Sequence, residues 1–220
     1  MAKIYFVTAT DTEVGKTFIT AGLAFVAQEK GLSVGISKPI SCGGIDDAEF
    51  YKSKLKLKDS IDSINPIKFR QPLSPYAAMK TEKIKIDIRA IKGSVKKLIR
   101  PRDLVFVEGL GGALAPVKKN YYVADLAKAL NIPCIIVARA GLGTINHTLM
   151  TIDELKKRKI KIAGVIMNGF DSKEPSQASN AKVIEELSGI KVIGKIKAKS
   201  SFNDLVEQIK KQRIYEKLKT

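Results

Sequence analysis

Lys16 and Thr17 follow Gly15 where a short apolar run gives way to a helical pattern, in the string Thr10-Asp11-Thr12-Glu13-Val14-Gly15-Lys16-Thr17-Phe18. A loop between a strand and a helix offers backbone N–H groups, and the helix N-terminus adds partial positive charge. Both receive phosphate oxygens. A lysine at this place reaches the β- and γ-phosphates of ATP, and the hydroxyl beside it ligates Mg²⁺. The arrangement is a P-loop, with Thr10 where the first glycine usually stands. Three more groups are expected at the ends of later strands, where open α/β sheets bind ligands. Lys38 follows one strand, and Asp47 lies in the loop beyond it. Glu108 ends the strand Leu104-Val105-Phe106-Val107 and precedes Gly109-Leu110-Gly111-Gly112. A carboxylate at the tip of an apolar strand suits a second group on a metal. Asp46 and Asp47 also suit the cap of a following helix.

Positioning these residues requires a sheet. Short β-branched runs cover Ile4–Thr8, Ser33–Ser37, Leu104–Glu108, Cys134–Ala138, Ala163–Asn168 and Val192–Ile196. Most are apolar throughout, as in parallel strands covered on both faces. Helical patterns fall between and after them, at Lys16–Lys30, Ile84–Ile99, Val123–Leu130, Thr144–Lys157, Ser179–Leu187 and Phe202–Leu218. The alternation predicts an α/β fold with a doubly wound, mostly parallel sheet, as one domain over residues 1–220. Residues 41–80 read as an irregular functional region with short helices.

Composition adds bounds. Hydrophobic residues are 45% and charged residues 28% of the 220, as in globular chains. No run of 18 apolar residues predicts a membrane helix, and the N-terminal strand is too short for a signal-peptide core. Cys42 and Cys134 form no CxxC pair, so neither zinc nor a disulfide framework is expected. A cytoplasmic enzyme is the simplest reading. The net charge of +17 could attract an anion. The lysines are scattered and no aromatic residues interleave with them, so a solvated surface is expected and not a nucleic-acid platform.

At the chemical residues the chain resembles the dethiobiotin synthetases. The likeness runs over about residues 3–170. It rests on Val7 to Thr17, on Lys38-Pro39, on Val107-Glu108-Gly109-Leu110-Gly111-Gly112, on Pro72-Leu73-Ser74-Pro75-Tyr76 and on Gly141-Leu142-Gly143-Thr144-Ile145-Asn146-His147. The resemblance implies ring closure on 7,8-diaminononanoate with CO2 and ATP, through a carbamate and a carbamic–phosphoric anhydride. It implies Mg²⁺ on Thr17, Asp47 and Glu108, and Lys16 on the γ-phosphate. Lys38 is implied between carbamate and phosphate, with Thr12 and Glu13 on the substrate side of the loop. ATP would lie along Glu13 to Phe18 and Glu108 to Gly111, with adenine at Asn168. That asparagine is followed here by Gly169, and a second adenine-lining stretch is implied near Lys197–Lys199. Where the family offers substrate a hydroxyl this chain has Cys42, beside Ser41. A homodimer with shared sites is implied, the partner's Leu142, Gly143 and Asn146 receiving the substrate carboxylate. The segment itself reads as a loop opening a helix, with Thr144 as its N-cap.

His147 suggests acid–base chemistry, but no implied step needs it, and a packing residue at a helix start is expected. The rival reading is a DNA-segregation or regulatory ATPase of the same fold. Such proteins carry a lysine early in the P-loop, where this chain has Asp11. A glutamine-dependent amide ligase would need a further domain.

Overall fold

The computed structural model describes residues 2–218; Met1, Lys219 and Thr220 lie outside the described residues. In chain order the elements are β1 (Lys3–Ala9), α1 (Lys16–Glu29), β2 (Val34–Ser37), β3 (Ile40–Cys42), α2 (Asp46–Leu55), α3 (Ile61–Ile64), β4 (Ile67–Phe69), α4 (Pro75–Glu82), α5 (Ile88–Ile99) and β5 (Leu104–Glu108). There follow β6 (Pro116–Lys118), β7 (Tyr121–Tyr122), α6 (Val123–Leu130), β8 (Cys134–Arg139), α7 (Thr144–Lys157), β9 (Ile162–Phe170), α8 (Pro175–Ser188), β10 (Val192–Lys197), α9 (Phe202–Lys211) and α10 (Ile214–Lys217).

Six strands form one sheet in the order β10-β9-β8-β1-β5-β2, and every pairing in it is parallel. The doubly wound architecture is as expected. β5 shows how two cores arise from one apolar run. Successive side chains alternate across a sheet, so Leu104 and Phe106 enter the layer packed by α1, α2, α9 and α10. Val105 and Val107 enter the layer packed by α5, α6, α7 and α8. β1 lies between β5 and β8: the chain builds β2 and β5 on one side of it and then β8, β9 and β10 on the other, so the strand order reverses there. The loop after β1 therefore opens at the crevice where ligands of such sheets bind.

Several boundaries differ from expectation. Residues 41–80 hold two short parallel strands and three helices; each is too short to show a period. α5 starts at Ile88, not Ile84, because the Asp87 carboxylate accepts from the amides of Arg89 and Ala90. α8 starts at Pro175, whose fixed φ suits a first helical residue. The last helix breaks in two because Arg213 takes a left-handed φ of 53°.

Phe106 on β5 is fully buried, its ring stacked on that of Tyr5 on the neighbouring β1. Phe106→Ala should cost about 3–5 kcal/mol, read as a lower urea midpoint. A loss below about 1 kcal/mol would show that the core closes around the missing ring.

Candidate functional site

Gly15 caps α1 with φ +89°, a left-handed conformation that a side chain rarely adopts. A Cβ there would lie 2.3 Å from Nδ2 of Asn168. That nitrogen instead donates to the Val14 carbonyl at 2.9 Å, so β9 braces the loop from behind. Lys16 is buried, and its Nζ donates to the Asp11 carbonyl at 3.4 Å. Burial holds its pKa below the ordinary lysine value.

Beside the loop, four charged or polar side chains converge. Lys38 Nζ lies 2.6 Å from Asp47 Oδ2 and 2.6 Å from Glu108 Oε1, and it donates to the Gly109 carbonyl at 3.3 Å. The Thr17 hydroxyl lies 2.8 Å from Asp47 Oδ1 and 3.0 Å from Glu108 Oε1. Lys38 is 4% exposed and Glu108 is 1% exposed. Burial alone would depress Lys38, but Glu108 and Asp47 outweigh it and hold the ammonium above the usual lysine range. Burial likewise opposes ionisation of Asp47, and Lys38 with Thr17 outweighs it, so the carboxyl sits below its usual range. α2 brings Asp47 here in its first turn, where carboxylates also favour the helix dipole. The expected cap is not made: Ile45 is the N-cap of α2, with no side-chain cap, and the Asp47 carboxylate turns to Lys38 and Thr17 instead.

Tyr51 and Asn65 complete the site and carry no motif that marks them. Tyr51 donates its hydroxyl to Glu108 Oε2. Asn65 is fully buried; Nδ2 donates to the Lys38 carbonyl at 2.7 Å, and Oδ1 accepts from the Ser41 hydroxyl at 2.7 Å. The Lys38 amide donates to the Ile64 carbonyl. The backbone carrying Lys38 is thus fixed from both sides. The one signal for Tyr51 is its place one helical turn after Asp47.

A cavity of about 690 Å³ opens over this cluster. Among the expected residues it brings together Thr12, Glu13, Gly15, Lys16, Thr17, Lys38, Ser41, Cys42, Asp47, Glu108, Leu110 and Gly111. Its far wall is Pro72-Leu73-Ser74-Pro75. Burial, then Glu82, pushes the Cys42 thiol up to about 11, so it stays neutral. The Ser41 proton is already committed to Asn65. Other expected residues lie outside the lining. Val14 is buried, and Phe18 packs edge-on to Phe202. Gly109 faces the core, where a Cβ would meet Val123 at 2.8 Å. Lys197 and Lys199 are exposed at the end of β10. Leu142, Gly143 and Asn146 are exposed at the start of α7, away from the cavity.

Two expectations are corrected at α7. Gly143, not Thr144, is the N-cap, with φ +85° and no side-chain cap. Thr144 is already helical, and its hydroxyl sits by that of Thr148. His147 is exposed and not a packing residue, because the buried face of α7 runs through Thr144, Thr148, Thr151, Ile152 and Leu155.

A parallel sheet whose central strand feeds a glycine-capped loop and then Lys16 and Thr17 defines a P-loop NTPase-like protein. The solved MinC:MinD cell division complex of Aquifex aeolicus agrees in fold, with TM-score 0.65 and 14% identity over 99% of this chain and 95% of that one. The sequence matches the family described as AAA domain over residues 3–204. It is 43% identical to the ATP-dependent dethiobiotin synthetase of Methanococcus vannielii, over 90% of this chain and 94% of the relative. Against that of Endomicrobium trichonymphae it is 39% identical, over 88% and 92%. The chain belongs to the ATP-dependent dethiobiotin synthetase family.

The depressed Asp47 carboxyl has a signed consequence. Its contribution to stability is full above the unfolded value of about 3.9. It is lost as pH falls through the lower folded value. Urea midpoints should therefore fall more steeply below pH ~4 in the native chain than in Asp47→Asn. Parallel acid limbs would show that the Lys38–Asp47 pair adds nothing to folding.

Proposed function

We propose that the chain converts 7,8-diaminononanoate, CO2 and ATP to dethiobiotin, ADP and phosphate, with the cluster around Lys38 as its reaction centre. The observation that carries this is the convergence of Lys38, Asp47, Glu108 and Thr17 beside Lys16 at the mouth of one cavity. One amine of the substrate adds to CO2 and loses a proton, giving a carbamate. A carbamate oxygen attacks the γ-phosphorus and ADP leaves. The second amine attacks the carbonyl carbon of the anhydride, and phosphate leaves as the ring closes.

Negative charge gathers on phosphoryl oxygens during the transfer, so fixed cations aimed at them supply most of the rate. Lys16 follows the γ-phosphate. Lys38 lies where carbamate and phosphate meet and holds both. Thr17, Asp47 and Glu108 form an all-oxygen donor set, which suits Mg²⁺. Lys38 already places a cation among these oxygens, so the site tolerates positive charge. Among the described residues no cluster of three or more His, Cys, Asp or Glu occurs, so phosphate and water oxygens would complete the shell. The ion would neutralise charge on the β- and γ-phosphates. Thr12, Glu13, Ser41 and Cys42 line the diamine side. The backbone of Glu13 to Phe18 and Gly109 to Gly111 holds ATP, and Asn168 meets the adenine. Among the described residues no helix is long and apolar enough to cross a membrane; we place the protein in the cytoplasm.

Phosphate release should require both the diamine and bicarbonate. Lys16→Ala should lose ATP binding and turnover together. Lys38→Ala should lower kcat mainly, because its contact is made in the transition state. Release that ignores the diamine but rises with plasmid DNA would instead favour the segregation ATPase.

The reading includes a homodimer with shared sites. Leu142, in the loop just before α7, is 91% exposed, and Met150 on α7 is 60% exposed, so large apolar side chains face outward here. The N-terminus of α7 offers amides that can hold a carboxylate. The partner's Leu142, Gly143 and Asn146 would then meet the distal carboxylate of the diamino acid. Mixing Lys16→Ala subunits with Asn146→Asp subunits under exchange tests this. Each hybrid has one doubly defective site and one intact site, so activity should reappear. Proven exchange with no recovery excludes sharing.

A further inference from the structure

Tyr51 heads the fully buried side chains by volume. It follows Asp47 by one turn of α2, so both leave the same face of that helix. Its hydroxyl donates to Oε2 of Glu108. The other oxygen, Oε1, meets Lys38 at 2.6 Å and Thr17 at 3.0 Å. The two carboxylate oxygens therefore have separate partners: one is tied to the core, and one faces the place where Lys38, Asp47 and Thr17 converge.

We propose that Tyr51 is a positioning residue that fixes Glu108 as a one-oxygen ligand and so favours a small octahedral cation over a larger one. This rests on the metal role given to Glu108 above. Mg²⁺ keeps a near-octahedral shell, whereas Ca²⁺ takes more oxygens and accepts carboxylates through both. With Oε2 accepting from the buried Tyr51 hydroxyl, that oxygen is held toward the core with one lone pair engaged, so two-oxygen coordination competes with a buried hydrogen bond. The same bond ties the tip of β5 to the helix that carries Asp47. Both carboxylates are then set at a fixed separation by one turn of α2. Partners that orient metal ligands in this way change metal affinity by about 10–100-fold when removed.

The test is ATP binding by calorimetry in Mg²⁺, in Ca²⁺ and in EDTA, for the native chain and Tyr51→Phe. Native affinity that rises with Mg²⁺ supports the metal reading; no rise removes that reading and the proposal with it. Given the rise, Tyr51→Phe should weaken the Mg²⁺-dependent part about tenfold and narrow the preference for Mg²⁺ over Ca²⁺. Binding in EDTA should hold. With 4-aminophenylalanine at position 51, a weaker donor of the same shape, the preference should be intermediate. If Tyr51→Phe does not fold, that second variant decides alone: a reduced preference supports the proposal and a native one overturns it. An unchanged preference in Tyr51→Phe, or an equal loss in EDTA, also overturns it.

Discussion

The contact of one buried ammonium, Lys38, with two carboxylates, Asp47 and Glu108, is the constraint on which the site depends. Taking such charges from water is expensive, and their attraction repays this only when geometry is good and the remaining polar atoms are satisfied. Each neighbour meets part of that demand. Thr17 bridges the carboxylates, Gly109 accepts from Lys38, and Tyr51 takes the inner oxygen of Glu108. Removing one member strands the others, which typically costs about 3–5 kcal/mol for a buried pair. A cluster built this way holds its shape before any ligand arrives, and preorganisation is what electrostatic catalysis needs.

The sheet serves this constraint. β1, β5 and β2 are adjacent and parallel, so their carboxyl ends deliver the P-loop, Glu108 and Lys38 to one edge. The register pairs Val7 with Glu108 and Ser37 with Val107, which sets Lys38, one residue past the end of β2, level with Glu108. Residues far apart in sequence meet because three apolar runs end at one level. A one-residue slip of β5 would turn Glu108 to the other face.

This explains how much was legible in the sequence. The six sheet strands and the loop before Lys16 were readable because long apolar runs and the Gly-Lys-Thr motif are local signals. Lys38, Asp47 and Glu108 were readable as strand-end groups, although their mutual contact is a property of register. The region of residues 41–80 was not readable in detail. Its strands are three residues long, and its order comes from Asn65, which ties Lys38 to Ser41 through buried hydrogen bonds. An asparagine before a proline reads locally as a turn residue. Tyr51 escaped for a related reason: on a helix surface it looks like any aromatic core residue, and only the tertiary fold sets its hydroxyl against a carboxylate.

The same fold occurs in a cell division protein complex at 14% identity, so the sheet and P-loop alone do not choose a reaction. What chooses it must lie in the residues around them. In this chain the segment from Lys38 to Pro75 leaves the sheet, supplies Asp47 and folds back as the far wall of the cavity. It places a lysine from one strand end and a neutral thiol beside space large enough for a second substrate. A P-loop without such a wall exposes the γ-phosphate to water, and water is then the nearest nucleophile. A wall that seats an organic substrate puts another oxygen there first, and positioning of that kind adds to what the fixed cations supply. In the proposed reaction residues 38–75 therefore seat the organic nucleophile, while the loop at residues 10–17 holds the phosphate that it attacks.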